Sequence, residues 1–156
     1  MKIVRARPED AAALTAIAHA AKRHWGYPEP WIAAWRETLT IQSDFIASNF
    51  AFSAVDENSH AVGFYVLTTE KDGLHLDHLW VTPAAMGQGI GRTLFRHAVD
   101  QARELSHRSF LIEADPNAEA FYKHMGARRI GINQTQVEGH PRELPVLQYD
   151  LETIDT

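Results

Sequence analysis

The stretch from Leu74 to Glu113 constrains the fold more than any other part of the chain. Leu74 to Val81 reads as a strand, Pro83 stops it, and glycines follow at positions 87, 89 and 91. A helix is then expected from about Gly89 to Leu105, because Ile90, Leu94, Ala98, Ala102 and Leu105 form one apolar stripe. Phe110 to Glu113 is a second, short strand. Two strands joined through a helix of this length pair in parallel, through a crossover. A parallel pair needs helices packed on its sheet, so the chain is expected to be α/β.

The flanking segments fill in the rest. Lys2 to Ala6 reads as a first strand, and Pro8-Glu9-Asp10 opens a helix whose apolar face, Leu14, Ile17, Ala18 and Ala21, runs to about Lys22. After the breaker cluster Gly26 to Pro30, a second helix is expected over Trp31–Leu39. Phe50 to Val55 and Ala61 to Thr69, joined by Asp56 to Ser59, read as strands, and the turn Lys71-Asp72-Gly73 leads into Leu74. Three strands joined this closely form an antiparallel meander. Asn117 to Met125 is a short helix ended by Gly126, and Arg128–Val137 and Leu144–Leu151 are two last strands joined by Glu138-Gly139-His140-Pro141. The expected architecture is a central mixed β-sheet of about seven strands flanked by about four helices, in a single domain over residues 1–156.

Composition removes several function classes. Fifteen Lys and Arg against twenty Asp and Glu leave a net charge of −5, which counts against a nucleic-acid partner. With no cysteine there is no disulfide, no Cys-based zinc site and no thiol nucleophile. No apolar run approaches the roughly 20 residues that span a bilayer, and Met1 to Val4 leads straight into a strand where a signal peptide would continue. The expectation is a soluble cytoplasmic protein with no membrane partner. His75, Asp77 and His78 are the tightest group of metal-ligand types, but 75 and 77 face away from 78 on a regular strand, so no metal is expected.

The chemistry concentrates in two places. At the loop Met86-Gly87-Gln88-Gly89-Ile90-Gly91, a strand feeds a helix N-terminus whose free N–H groups and positive dipole end suit a phosphate. The glycines let a ligand approach the backbone. The dinucleotide fingerprint fails here, because its third glycine would fall on Arg92, and no Gly-Lys-Ser/Thr follows for a nucleoside triphosphate. The second place is Asn117-Ala118-Glu119-Ala120-Phe121-Tyr122, ended by Gly126-Ala127, where Asn117 is a good N-cap and Phe121 a core anchor.

Together the two stretches resemble the GNAT superfamily of N-acetyltransferases. The family's acyl-CoA loop has the form Gln/Arg-x-x-Gly-x-Gly/Ala, which Gly89 and Gly91 match, with Met86 where Gln or Arg usually stands. Asn117, Ala118, Phe121, Tyr122 and Gly126-Ala127 stand in the places of its next motif. The resemblance is strong from Leu74 to about Gly131 and rests on topology alone before Asn49.

The resemblance implies direct transfer of an acetyl group from acetyl-CoA to a primary amine on a small molecule or peptide. It places acetyl-CoA against Leu79, Trp80 and Val81, the loop Met86, Gly87, Gln88, Gly89, Ile90, Gly91 and Arg92, and Asn117, Ala118, Phe121 and Tyr122. A backbone N–H near Val81 would polarise the thioester carbonyl, and Tyr122 would protonate the departing thiolate. The amine's proton needs a base, for which Asp77, His78 and Glu113 are the candidates. Regular alternation allows at most one of Asp77 and His78 to point into the site, and a bulge would change the choice. The acceptor pocket is expected from the first two helices and the final hairpin, with Trp25, Tyr27, Glu29 and Trp31 as substrate contacts. Trp31 and Trp35, four apart, could equally cover the sheet. A homodimer through the last strands follows by the same analogy. The alternatives are a non-catalytic acyl-CoA-binding or sensor module and a glycine-loop nucleotide binder.

Overall fold

The computed structural model describes residues 1–151; residues 152–156 of the expected domain lie outside the described residues. The elements run β1 (Lys2–Arg5), α1 (Ala11–His24), α2 (Glu29–Ala34), α3 (Ser43–Ser48), β2 (Phe50–Val55), β3 (Ala61–Glu70), β4 (Gly73–Val81), α4 (Ile90–Glu104), β5 (Ser109–Glu113), α5 (Glu119–His124), β6 (Arg128–Val137) and β7 (His140–Asp150). The seven strands form one mixed sheet in the order β1-β2-β3-β4-β5-β7-β6. Only β4 and β5 run parallel, through the α4 crossover. Among the described residues no helix is long and apolar enough to cross a membrane.

One face of the sheet is covered by α4 and α5. The α4 stripe buries Ile90, Leu94, Phe95, Ala98, Val99 and Ala102 against Tyr65, Leu67, Leu76, Phe110 and Leu147. Each large side chain so buried stabilises the fold by about 1.5–3 kcal/mol. The other face carries α1 and α3, which bury Leu14, Ile17, Ala18 and Ile46 on Ala51, Phe64 and Val66. At Gly63 the two layers approach so closely that an added Cβ would lie 2.9 Å from the Trp80 carbonyl and 3.0 Å from Leu94.

Four expectations change. Asn117, read as the N-cap of a helix running to Met125, lies instead within a 3₁₀ turn over Pro116–Ala118 that Asp115 caps, and α5 has Ala118 at its N-cap. Helix α2 starts at Glu29 and ends at Ala34, not over Trp31–Leu39. Pro30, read as a breaker, sits in the helix's first turn, where its missing N–H has no intrahelical partner to lose. Helix α3, with its one buried residue Ile46, brings the α-helices to five. The turn between the last strands is Glu138-Gly139 alone, with φ of +47° and +78°, so β7 begins at His140 and runs through Pro141 and Pro145.

Two irregularities shape the middle of the sheet. Parallel pairing of β4 with β5 stops after Leu74↔Phe110 and His75↔Leu111, and the strands then part. The β3–β4 register pairs Val66 with His78 but Leu67 with Leu76, so Asp77 is the extra residue of a bulge.

Candidate active site

The parting of β4 and β5 opens a cleft of about 380 Å³, floored by Leu76 to Val81 on one side and Ile112 to Asp115 on the other. Thr82 N–H donates to the Val62 carbonyl across β3, so the alternation of the strand turns the N–H and C=O groups of Leu79 and Val81 away from β3 and into the gap. These backbone groups have no strand partner there, which suits an extended ligand that completes the sheet.

The loop closes one end. Gly87 and Gly89 hold φ of +81° and +83°, a left-handed conformation that a β-branched residue resists. Gly89 caps α4, and its carbonyl takes the first helical bond from Thr93 N–H at 3.1 Å. The N–H groups of Ile90, Gly91 and Arg92 therefore remain unpaired at the positive end of a 15-residue helix. Met86, Gly87, Gly89, Ile90, Gly91 and Arg92 all line the cleft, whereas Gln88 does not. Backbone donors and the Arg92 guanidinium make this end an anion cradle that does not depend on a polar side chain at position 86.

Tyr122, from α5, lines the cleft with Asn117, Ala118 and Phe121. Burial, reinforced by the charge of Asp115, pushes its hydroxyl well above the ordinary phenol range, so it stays a proton donor at neutral pH. On the far side, Asp77 and Glu113 are both solvent-exposed and line the cleft. Glu113 accepts a hydrogen bond from the Asn133 side chain. The bulge overturns simple alternation at this point: His78 Nε2 and Asp77 Oδ2 lie 3.8 Å apart, and both residues line the cleft. Burial among aromatic side chains lowers the His78 pKa, and Asp77 opposes this only in part.

The expected acceptor contacts divide. Trp25 is 40% exposed and lines the cleft beside Ala21. Tyr27, Glu29 and Trp31 are not brought to its wall. Glu29 is held on the surface by both oxygens to Arg23, at 2.9 and 3.0 Å. Trp31 stacks on Tyr27 at 5.9 Å and packs against Trp35 and His140.

Tyr27 instead centres a buried polar cluster that sequence reasoning missed. Its hydroxyl lies 3.0 Å from both Asp115 oxygens and accepts from Asn117 Nδ2 at 3.0 Å and Arg142 Nη2 at 2.9 Å. Lys22 Nζ meets Asp115 Oδ2 at 2.6 Å, with side-chain exposures of 11% and 8%. Both cations lie near the Trp35 ring, at 4.3 Å for Lys22 and 4.9 Å for Arg142. Burial works to raise the Asp115 pKa, but the Lys22 ammonium outweighs it, with hydrogen bonds from Lys22, Asn117 and Tyr27, and the carboxyl sits below its usual range. Tyr27 is pushed up to about 12, first by burial and then by the Asp115 charge. One signal was in the sequence: Lys22 follows Ala18 by four residues and so falls on the buried stripe of α1, where a lysine needs a partner.

A gap between diverging strands, with unpaired N–H groups of a helix start at one end and a tyrosine hydroxyl in its lining, has the shape and the donors to take an extended acyl-CoA. The family model of the acetyltransferase (GNAT) domain matches residues 26–142, and the chain belongs to this family. A peptidyl-lysine N-acetyltransferase, YjaB, of Salmonella typhimurium is 31% identical over 78% of this chain and 90% of its own length. Among solved structures, a GCN5-related N-acetyltransferase from Rhodopseudomonas palustris is 22% identical and superposes with a TM-score of 0.80 over 96% of this chain and 94% of its own. The PaiA N-acetyltransferase of Thermoplasma acidophilum, solved with coenzyme A, is 18% identical, with a TM-score of 0.72 over 96% and 98% of the two chains. The protein is an acetyl-CoA-dependent N-acetyltransferase, and the non-catalytic alternative gives way to an enzyme.

Proposed function

We propose that the acceptor is the side-chain amine of a lysine in a peptide or protein. The observation that carries this reading is the polarity of the cleft. Its loop end holds unpaired N–H groups and Arg92, while Asp77 and Glu113, each two residues past the last paired positions His75 and Leu111, line the end where the strands begin to part, and neither pairs with a Lys or Arg among the described residues. A cation in the cleft meets two carboxylates at this end, and the anionic co-substrate is drawn to the loop end. The similarity to a peptidyl-lysine N-acetyltransferase supports the same class.

In this reading acetyl-CoA lies along Leu79 to Val81 with its pyrophosphate on the loop. The Val81 N–H, turned into the gap, stabilises the negative charge that develops on the thioester oxygen. Tyr122 gives its proton to the departing thiolate. Asn117 supports the site through its backbone and remaining side-chain oxygen, because its Nδ2 is already committed to Tyr27 and Asp115. The homodimer belongs to the same reading: β6 is a sheet edge, and its Ile130 and Ile132 are 47% and 43% exposed.

The test is release of free CoA thiol with acetyl-CoA and two peptides. One has a blocked N-terminus and a single lysine; the other has a free N-terminus and norleucine in place of the lysine. Turnover with the first alone is expected. Turnover with the second alone would overturn the acceptor assignment. Tyr122→Phe is expected to lower kcat about 100-fold while leaving CoA affinity unchanged.

A further inference from the structure

The residue pair Asp77 and His78 presents two chemically different bases at one bulge, and the surroundings of His78 decide between them. The Trp80 indole Nε1–H donates to His78 Nδ1 at 3.0 Å. An indole nitrogen can only donate, so Nδ1 must present its lone pair. A neutral imidazole with its lone pair on Nδ1 carries its proton on Nε2, the nitrogen that faces Asp77 Oδ2 at 3.8 Å. Protonating His78 would place an N–H against the indole N–H and break that bond.

The rest of the environment works in the same direction. Phe45 of α3 stands edge-on to the imidazole at 5.9 Å, and Phe64 of β3 lies at 6.1 Å; neither carries charge. Asp77, on β4 itself, is the one charged group that acts on His78 among the described residues. The His78 side chain is 11% exposed, against 48% for Asp77.

We infer that Asp77 is the group that takes the acceptor's proton, and that Trp80 locks His78 as the neutral tautomer whose Nε2–H faces Asp77. This rests on the amine-acceptor reading above. An ammonium that becomes an amide gives up two protons. The first passes from nitrogen to a carboxylate oxygen of Asp77, freeing the lone pair that forms the new C–N bond. The C–S bond breaks, its electron pair leaves on sulfur, and sulfur takes the Tyr122 proton. The second proton on nitrogen restores Tyr122 through solvent, and Asp77 releases its own to solvent after the product departs. His78 gains and loses no proton in this sequence. His78 and Trp80 are positioning residues, and Asp77 is the catalytic one.

The inference is tested by long-range proton–nitrogen correlation spectroscopy of the 15N-labelled full chain without acetyl-CoA or acceptor. The expected result is a pyridine-like Nδ1 and a pyrrole-like Nε2 for His78, unchanged between about pH 5.5 and 8. A pyrrole-like Nδ1, or an ordinary titration over that range, would overturn the lock. In Trp80→Phe the same resonances are expected to show mixed tautomers and a protonation step, with kcat/KM falling as the pH drops through it. Asp77→Asn is expected to lower kcat/KM about 100-fold and to abolish the acidic limb of the pH profile. Retention of that limb would overturn the assignment of the base. The nitrogen shifts need no acceptor, so a chain that acetylates no amine would refute the acceptor reading while the lock is judged on its own data.

Discussion

Replacing Asp115 with alanine is the harshest single change the buried cluster admits. Two cations, Lys22 and Arg142, share one carboxylate, and the three side chains are 11%, 10% and 8% exposed. Removing the carboxylate leaves two positive charges facing the Tyr27 hydroxyl and the Tyr27 and Trp35 rings, with no anion between them. Breaking a buried pair from one side costs about 3–5 kcal/mol, because the remaining charge has lost both water and partner. The same carboxylate caps the turn before α5 by accepting from Asn117 N–H at 2.8 Å, a loss within that range rather than added to it. In a chain of this size the melting temperature should fall by about 6–20 °C. Lys22→Met is milder, at about 1–2 kcal/mol: Arg142, 4.0 Å from Asp115, then pairs with it one to one, and the apolar stem is kept. Urea denaturation of the two variants reads both numbers. The reasoning is refuted if Asp115→Ala lies within about 1 kcal/mol of the parent, or if Lys22→Met costs more. The pH dependence adds a sign. The folded Asp115 pKa lies below its unfolded value, so its contribution is present above the ordinary carboxylate range and is lost as pH falls through the folded value. Asp115→Asn should lack that part of the acid limb.

Gly63→Ala is expected to cost about 1–3 kcal/mol in denaturant titrations, since its Cβ would meet the Trp80 carbonyl at 2.9 Å, a backbone atom that cannot rotate aside. Gly89→Val should weaken acetyl-CoA binding at least about tenfold by calorimetry: no protein atom crowds a Cβ there, but its φ of +83° is closed to a β-branched residue, so the cap and its free N–H groups must shift. Unchanged affinity would show that the phosphate does not rest on this turn.

The strands were legible where the chain alternates with period two, and the α4 crossover where apolar residues recur at helical spacing. What escaped were features whose logic is tertiary. Six-residue α3 has one buried side chain, Ile46, too little for a periodic signal. Pro141 looked like the end of a turn, whereas it lies, with Pro145, within β7. Pro145 accepts Ala114 N–H just past the end of β5, and Pro141 lies further along the same overhang, so neither missing N–H breaks the β5 ladder. The cradle was readable because its glycines and helix start are local. The polar cluster was not, because Lys22 and Tyr27 meet Asp115 and Arg142 across about ninety residues and more of sequence, and only their meeting explains them. For Asp77 and His78 the sequence allowed a bulge but could not place it, and their joint access to the cleft depends on the bulge at Asp77.

The cleft and the cluster are two consequences of one strand separation. Where β4 leaves β5, the backbone groups of Leu79 and Val81 lose a neighbour, and an open gap in a parallel sheet would ordinarily close or fill. It is braced from outside instead. Helix α1 rests on β3 and β4, and its Lys22 reaches across to Asp115 at the turn that follows β5. The pair therefore ties the two sides of the gap together at a set distance, with Ala21 and Trp25 of the same helical turn forming part of the cleft wall. A hydrophobic replacement of equal volume could match the stability of such a buried pair, but not its directionality. The Asp115 end of the brace lies two residues before Asn117, and its charge acts on Tyr122. The cost of burying three charges is thus offset where the enzyme needs its two strands held apart.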